Sequence, residues 1–223
     1  MKRDFQKSLW LMGAVIVSCL IMAFIEVVIE PAYWVKSALK VVFFLVLPYV
    51  MMKRNKEKVF SDSFVPDKKN IPILLGLGLG IYGIVMVAFF LTRGIFSYSS
   101  LVTSLSSDQN VSGNSFIPVA LYISFGNSFL EEFLFRFVAF IKLAEHLPKK
   151  TAHIFSSCMF AIYHVAMIGT SFPLPLLTLA LVGLAVGGLI FNYVDDKSKN
   201  LYPSWVVHMF ADFAVMTIWY IYI

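Results

Sequence analysis

Six side chains in this sequence combine residue types that move protons or hold ions with the spacing of a helix face. Glu131, Glu132 and Arg136 fall within EEFLFR, His164 closes FAIYH, and His208 and Asp212 bracket HMFAD. Carboxylates and imidazoles that meet around one water can take its proton and make it a nucleophile. The same groups can ligate a divalent metal that does so instead. All six lie within strongly apolar stretches, where each charge costs about 2.5–3.5 kcal/mol on insertion scales and must pair or line a wet cavity.

Helix geometry sorts the candidates. Glu132 and Arg136 are four residues apart and share a face, so a structural ion pair accounts for both. Glu131, rotated by about 100° from its neighbour, needs a partner from another helix. His164 shares a face with Phe160, and His208 with Asp212, by the same four-residue spacing. A membrane histidine alone is more often a hydrogen-bonding packing residue, but two of them with an unpaired glutamate form a constellation. With Glu131, Glu132 and Asp212 ionised against Arg136 and both imidazoles neutral, the group carries −2, which calls for a bound cation or for protons.

Other motifs carry less. HExxH and GxSxG are absent. Ser204, near a helix start, is far in the chain from any assigned base, and Cys158, six residues before His164, points to a different helix face. His146 and His153 sit near the ends of apolar segments and read as interfacial. Gly76, Gly78, Gly80 and Gly83 in GLGLGIYG follow no strand, so they read as a close-packing surface, as do Gly183 and Gly187. NVS at Asn110 is a formal glycosylation sequon of little weight.

The elements that must position these groups are membrane helices. The chain has 223 residues, is 59% hydrophobic and 14% charged, and has a mean hydropathy of +0.80; soluble domains average about 25% charged. Seven apolar runs approach the ~20 residues needed to span a bilayer: 8–29, 34–52, 71–92, 116–143, 151–170, 173–194 and 201–223. With the N-terminus cytoplasmic, fourteen basic residues fall on the cytoplasmic side and three, Lys36, Lys40 and Arg93, on the other. That asymmetry assigns the net +5 to membrane orientation and not to nucleic-acid binding. The first run has no small-residue cleavage site and reads as a retained helix. Cys19 and Cys158 both lie inside spans and build no disulfide framework. The expected fold is all-α, a polytopic transmembrane bundle of about seven spans forming one membrane domain over 1–223, with the motif-bearing core at about 116–223. Segment 93–115, rich in Ser and Asn, is expected as an outer loop.

EEFLFR, FAIYH and HMFAD, in that order on successive helices, resemble the EExxxR, FxxxH and HxxxN/D motifs of the CPBP family. That family contains CAAX prenyl proteases of the Rce1 type and bacterial bacteriocin-processing and self-immunity proteins. The resemblance spans Glu131 to Asp212 and implies peptide-bond hydrolysis in or at the membrane. It implies that Glu131 activates water, that His164 positions it, that His208 and Asp212 stabilise the oxyanion, and that Glu132, Arg136 and Phe160 give structural support. Two mechanisms stay open. One needs no cofactor; the other holds zinc through Glu131, His164, His208 and Asp212. The first is preferred, although an ionised Asp212 cannot donate to an oxyanion as the family's Asn can.

The expected partners are membrane lipid and a membrane-bound protein or peptide substrate, with no nucleic acid. The expected location is a bacterial plasma membrane, with water reaching Glu131 from the cytoplasmic half. A proton- or cation-coupled transporter would explain the same intramembrane charges, and a non-catalytic immunity or scaffold protein could keep the motifs without turnover.

Overall fold

The computed structural model describes residues 2–57, 70–108, 113–198 and 200–222, which are overwhelmingly helical and contain no strand. The sequon at Asn110 and several of the loop lysines lie outside them. Ten α-helices follow one another: α1 Lys2–Phe24, α2 Tyr33–Val41, α3 Leu47–Arg54, α4 Ile71–Thr92, α5 Tyr98–Asp108, α6 Gly113–Leu121, α7 Ser128–Glu132, α8 Lys149–Ile168, α9 Leu174–Ser198 and α10 Tyr202–Tyr222.

Among the described residues, six helical stretches are long and apolar enough to cross a membrane: Phe5–Ile29, Tyr33–Arg54, Ile71–Thr92, Lys149–Ile168, Leu174–Ser198 and Tyr202–Tyr222. Their outward faces are apolar, with Leu20, Val28, Leu79, Ile84, Leu91 and Ile162 each more than 60% exposed. So much exposed hydrocarbon suits lipid as the solvent. The protein is an integral membrane helix bundle.

The seventh expected span, 116–143, differs from the other six. From Gly113 to Glu145 the chain stays helical, alternating α6, a π-helical turn at Tyr122–Asn127, α7, a longer π-helical stretch at Phe133–Lys142 and a 3-10 turn at Leu143–Glu145. The junction residues Leu121, Asn127, Glu132 and Leu143 all keep right-handed helical dihedrals, so no break intervenes. This rod carries Glu131, Glu132, Arg136 and Lys142, too many charges for a lipid-facing helix. It runs instead through the protein's centre: residues 133–140 are all buried, among Leu11, Val15, Met22, Phe44, Phe160 and Tyr163. A helix buried on every side, charged residues included, is one surrounded by protein.

Local sequence explains several joins. Pro48 lacks the N–H that would extend the ladder back into α2, and a π-turn at Val42–Val46 precedes it. Glu30 ends the first span in the left-handed region, φ 46, donating its N–H to the Ile25 carbonyl. Buried Asp195, near the end of α9, accepts from the Ser204 N–H at 3.0 Å and the Ser204 hydroxyl at 2.7 Å, capping the start of α10. Leu201 and Ser204 are buried as well, so α10 begins inside the protein body.

The glycines behave differently from the sequence expectation. Of the GLGLGIYG set, only Gly78 meets a neighbour, the Phe210 ring of α10; a Cβ at Gly76, Gly80 or Gly83 would meet open space. Gly183 and Gly187 touch nothing either. The neighbouring Gly188 makes the close approach, with the Ser157 Cα 3.1 Å from where its Cβ would stand. Beside it, Asn192 donates to the Ser157 hydroxyl (3.1 Å) and to the His153 carbonyl (3.2 Å), while Ser156 donates to the Phe135 carbonyl (2.7 Å). This polar seam fastens α9 and the central rod to α8. Gly78→Ala is expected to lower stability by about 1–3 kcal/mol through overpacking against Phe210, with Gly80→Ala near neutral. Thermal unfolding in detergent compares the two.

The Ser-rich stretch expected as a loop contains α5. Its Val102 joins Phe116, Val119, Met216 and Trp219 in a small second cluster, and Trp219 Nε1 donates to the Ser106 hydroxyl at 2.9 Å.

Candidate active site

Three elements bring the motif residues together: the central rod supplies Glu131, Glu132 and Arg136, α8 supplies Phe160 and His164, and α10 supplies His208 and Asp212. Glu131 is 1% exposed and Glu132 is fully buried. Glu131 Oε2 lies 3.7 Å from His164 Nε2 and 3.8 Å from His208 Nε2. His208 Nε2 is also 3.7 Å from Asp212 Oδ1. These separations exceed a direct hydrogen bond and are of the size that a bridging water spans.

Each imidazole is oriented from behind. His164 Nδ1 donates to the Phe160 carbonyl at 2.7 Å, the four-residue back-bond that FAIYH permits. His208 Nδ1 donates to Glu132 Oε1 at 2.8 Å. A carbonyl and a carboxylate only accept, so both Nδ1 atoms carry protons and both Nε2 atoms face Glu131. Glu132 therefore has two partners, since its Oε2 lies 3.2 Å from Arg136 Nε in the expected four-residue ion pair. The His208 contact was not foreseen.

Phe160 forms the wall these groups share. The Arg136 guanidinium lies over its ring at 4.2 Å from the centroid, and over Phe191 at 5.0 Å. The same Phe160 ring meets His164 edge-on at 4.7 Å and His208 at 5.7 Å. One aromatic thus stacks a buried cation and fixes the planes of two imidazoles. Phe191 of α9 had no sequence signal beyond its apolarity.

Sequence reasoning also missed Lys40. Counted as an outer-side flanking charge, it is in fact 4% exposed, with Nζ 2.7 Å from Glu131 Oε1 and 2.6 Å from Asn127 Oδ1. Asn127 Nδ2 donates to the same Oε1 at 2.9 Å. Glu131 therefore has the partner it lacked on paper, and the formal charge of the group becomes −1 with neutral imidazoles. Lys36, four residues earlier, pairs with Glu26 at 2.9 Å. The available signal was the four-residue spacing of two lysines within a span, together with the unpaired carboxylates at Glu26 and Glu131.

Lys40 is seven residues past the start of α2 and His164 four before the end of α8, both at the end away from the basic residues. The site therefore lies deeper from the basic side than expected. His208 reaches it because α10 starts below the surface. An open cleft of about 390 Å³ lies beyond His164 at that same far end, between residues 96–101 and 170–173.

Among the described residues the ligand atoms of Glu57, Glu145 and His146 all lie within 4.8 Å of one another, whereas those of Glu131, His164 and His208 are not so gathered. Lysines already hold that outer group: Lys7 is 2.6 Å from Glu57 and Lys142 2.8 Å from Glu145, so it ties α1 to the ends of α3 and the central rod. Burial tends to raise the pKa of Glu57, but the Lys7 ammonium and His146 at 3.3 Å outweigh it and lower the pKa below the ordinary glutamate value. A carboxylate lowered on folding stabilises above its unfolded pKa, about 4.3, and that contribution is lost as pH falls through the folded value. Wild type is thus expected to lose more melting temperature between pH 5 and pH 3 than Glu57→Gln. The difference at neutral pH is on the order of 1 kcal/mol or less, given partial exposure of Lys7.

A helix bundle in lipid, with two oriented imidazoles and a buried carboxylate converging at its centre, defines a class: integral membrane proteins equipped for acid–base chemistry inside the bilayer. Residues 113–214, just under half of the chain, match the family model of the Rce1-like type II CAAX prenyl endopeptidases. That likeness supports, at the level of the family, an intramembrane CAAX-type protease. No curated protein and no solved structure gives a significant match.

Proposed function

We propose that the protein hydrolyses a peptide bond in a membrane-associated protein or peptide by glutamate-activated water. The observation that carries this reading is the divided Glu131 carboxylate. Oε1 is engaged by Lys40 and Asn127, while buried Oε2 accepts no hydrogen bond among the described residues and faces two Nε2 atoms. A water hydrogen-bonded to Oε2 and oriented by His164 gives its proton to Glu131 as its oxygen attacks the carbonyl carbon. His208, between Glu131 and Asp212, is placed to carry a second proton on Nε2 and donate it as a hydrogen bond to the developing oxyanion. In this arrangement the imidazolium supplies the donor that the aspartate cannot, and Asp212 favours the charged ring. The proton on Glu131 then passes to the departing amine nitrogen as the C–N bond breaks.

Zinc fits these residues poorly. A tetrahedral ion with ligand bonds near 2.0–2.2 Å holds its donors about 3.3–3.6 Å apart; Glu131 comes near that with each imidazole, but the ligand atoms of Glu131, His164 and His208 do not all lie within 4.8 Å of one another. The ion would also share Glu131 with an ammonium 2.7 Å away. The metal-free route is therefore the proposal. The substrate class follows from the location: a peptide anchored in, or partitioned into, the bilayer of a bacterial plasma membrane.

Purified protein in proteoliposomes should cleave a membrane-anchored reporter peptide, with and without a prenyl group, and should keep its rate after chelator treatment with no stoichiometric metal present. Proton or cation flux without any cleavage would overturn the peptidase reading in favour of a transporter. Loss of cleavage on chelation, restored by zinc, would overturn the metal-free route alone.

A further inference from the structure

The amino-terminal half lies outside the segment that matches the Rce1-like pattern, yet it places a buried cation on the central carboxylate. The Lys40 ammonium makes two hydrogen bonds and lies against two aromatic rings. One contact goes to Glu131 Oε1 at 2.7 Å and one to Asn127 Oδ1 at 2.6 Å, and the charge lies 5.0 Å from the Tyr163 ring centroid and 5.1 Å from that of Phe44. A buried ammonium is tolerated only when its protons are directed in this way. An ion pair that served folding alone would gain most by engaging both carboxylate oxygens. Here Lys40 and Asn127 converge on Oε1 and leave Oε2 to the histidines. The ammonium is held by α2 and the ring of Tyr163, the residue immediately before His164, so α2 and α8 grip it together.

We propose that Lys40 is a positioning residue for the hydrolysis: it holds Oε1 and balances the Glu131 charge, so that Oε2 alone is presented to water, His164 and His208. The proposal rests on Glu131 being the base. The other charged or titratable groups around the pair are Cys19 of α1, Glu26 and its partner Lys36, Tyr122, Glu132 with Arg136, Tyr163, His164, His208 and Asp212. Among them Lys40 is the cation in direct contact with Glu131.

The test uses full-length protein in proteoliposomes with Lys40→Met, Lys40→Arg and Asn127→Leu. Lys40→Met is expected to lower kcat roughly 10- to 100-fold, part of what a general base contributes, with KM within about twofold. Lys40→Arg should recover part of the loss, and Asn127→Leu should give a smaller one. A second readout does not need turnover. Dicyclohexylcarbodiimide, an apolar carbodiimide, modifies protonated carboxyl groups, so peptide mass mapping at pH 7 should find Glu131 modified in Lys40→Met and unmodified in wild type, with Glu131→Gln as the blank. Wild-type kcat in Lys40→Met, or equal modification of Glu131 with and without Lys40, would overturn the proposal. So would equal kcat losses in the Met and Arg variants. Should wild type cleave nothing, the peptidase reading falls, and with it a hydrolytic role for Lys40; the modification pattern then decides whether Lys40 balances the Glu131 charge. If Lys40→Met does not fold, Asn127→Leu and Lys40→Arg carry the test, unchanged kcat in both counting against it.

Discussion

Glu131→Gln is expected to reduce peptide cleavage by about 10²- to 10⁴-fold, the range a general base supplies, while the protein still inserts and folds. The amide keeps the size of the side chain, and its carbonyl can still accept from Lys40 and Asn127, so the surroundings of Oε1 survive. What it lacks is the ability to take a proton from water. The loss should fall on kcat, because the group acts on the reacting water and not on the bulk of the peptide. His164→Ala should cost less than Glu131→Gln, since it orients water without accepting its proton. Cleavage by Glu131→Gln at more than a tenth of the wild-type rate would remove Glu131 from the chemistry.

The second large effect concerns stability. Arg136→Met removes a fully buried guanidinium stacked on Phe160 and Phe191 and strands the Glu132 carboxylate in the protein's centre. Breaking a buried pair from one side costs about 3–5 kcal/mol. The double variant Glu132→Gln with Arg136→Met should regain most of that, because no buried charge is left unpaired and the glutamine carbonyl can still accept from His208 Nδ1. Denaturant unfolding of the four proteins of this cycle measures the coupling. If the double variant is no more stable than Arg136→Met, the pair does not account for the arginine.

How much of this was legible in the sequence follows from the range of the interactions. The four-residue pair Glu132–Arg136 and the shared face of Phe160 and His164 are local, so helix spacing was enough to read them. The meeting of the rod, α8 and α10 was suggested by an unpaired glutamate with two helical histidines and made specific by the resemblance of three ordered motifs. Lys40 was not legible, because helix periodicity tells which residues share a face but not which helix that face meets. Its contact with Glu131 spans 91 positions. The same limit explains Gly188. Spacing nominated Gly183 and Gly187, but the facing helix selects the position one residue on, where Ser157 comes closest. Span counting placed a helix at 116–143 but not its setting: a helix enclosed by others can carry charges that a lipid-facing helix cannot.

The π-helical thread of Phe133–Lys142 closes on the fifth residue instead of the fourth. Phe135 and Phe140, five apart, accordingly both face α8, the first against Phe160 and Tyr163 and the second against the His153 ring. That pitch works like a gear between the proton-handling groups above it and the basic anchorage at Lys142 below. Excising one residue between 137 and 140 would favour fourth-residue closure and turn one half of the rod against the other, unseating either Arg136 or Lys142 while leaving every other side chain chemically intact. The protein should therefore tolerate many single substitutions in this stretch better than it tolerates any change in its length.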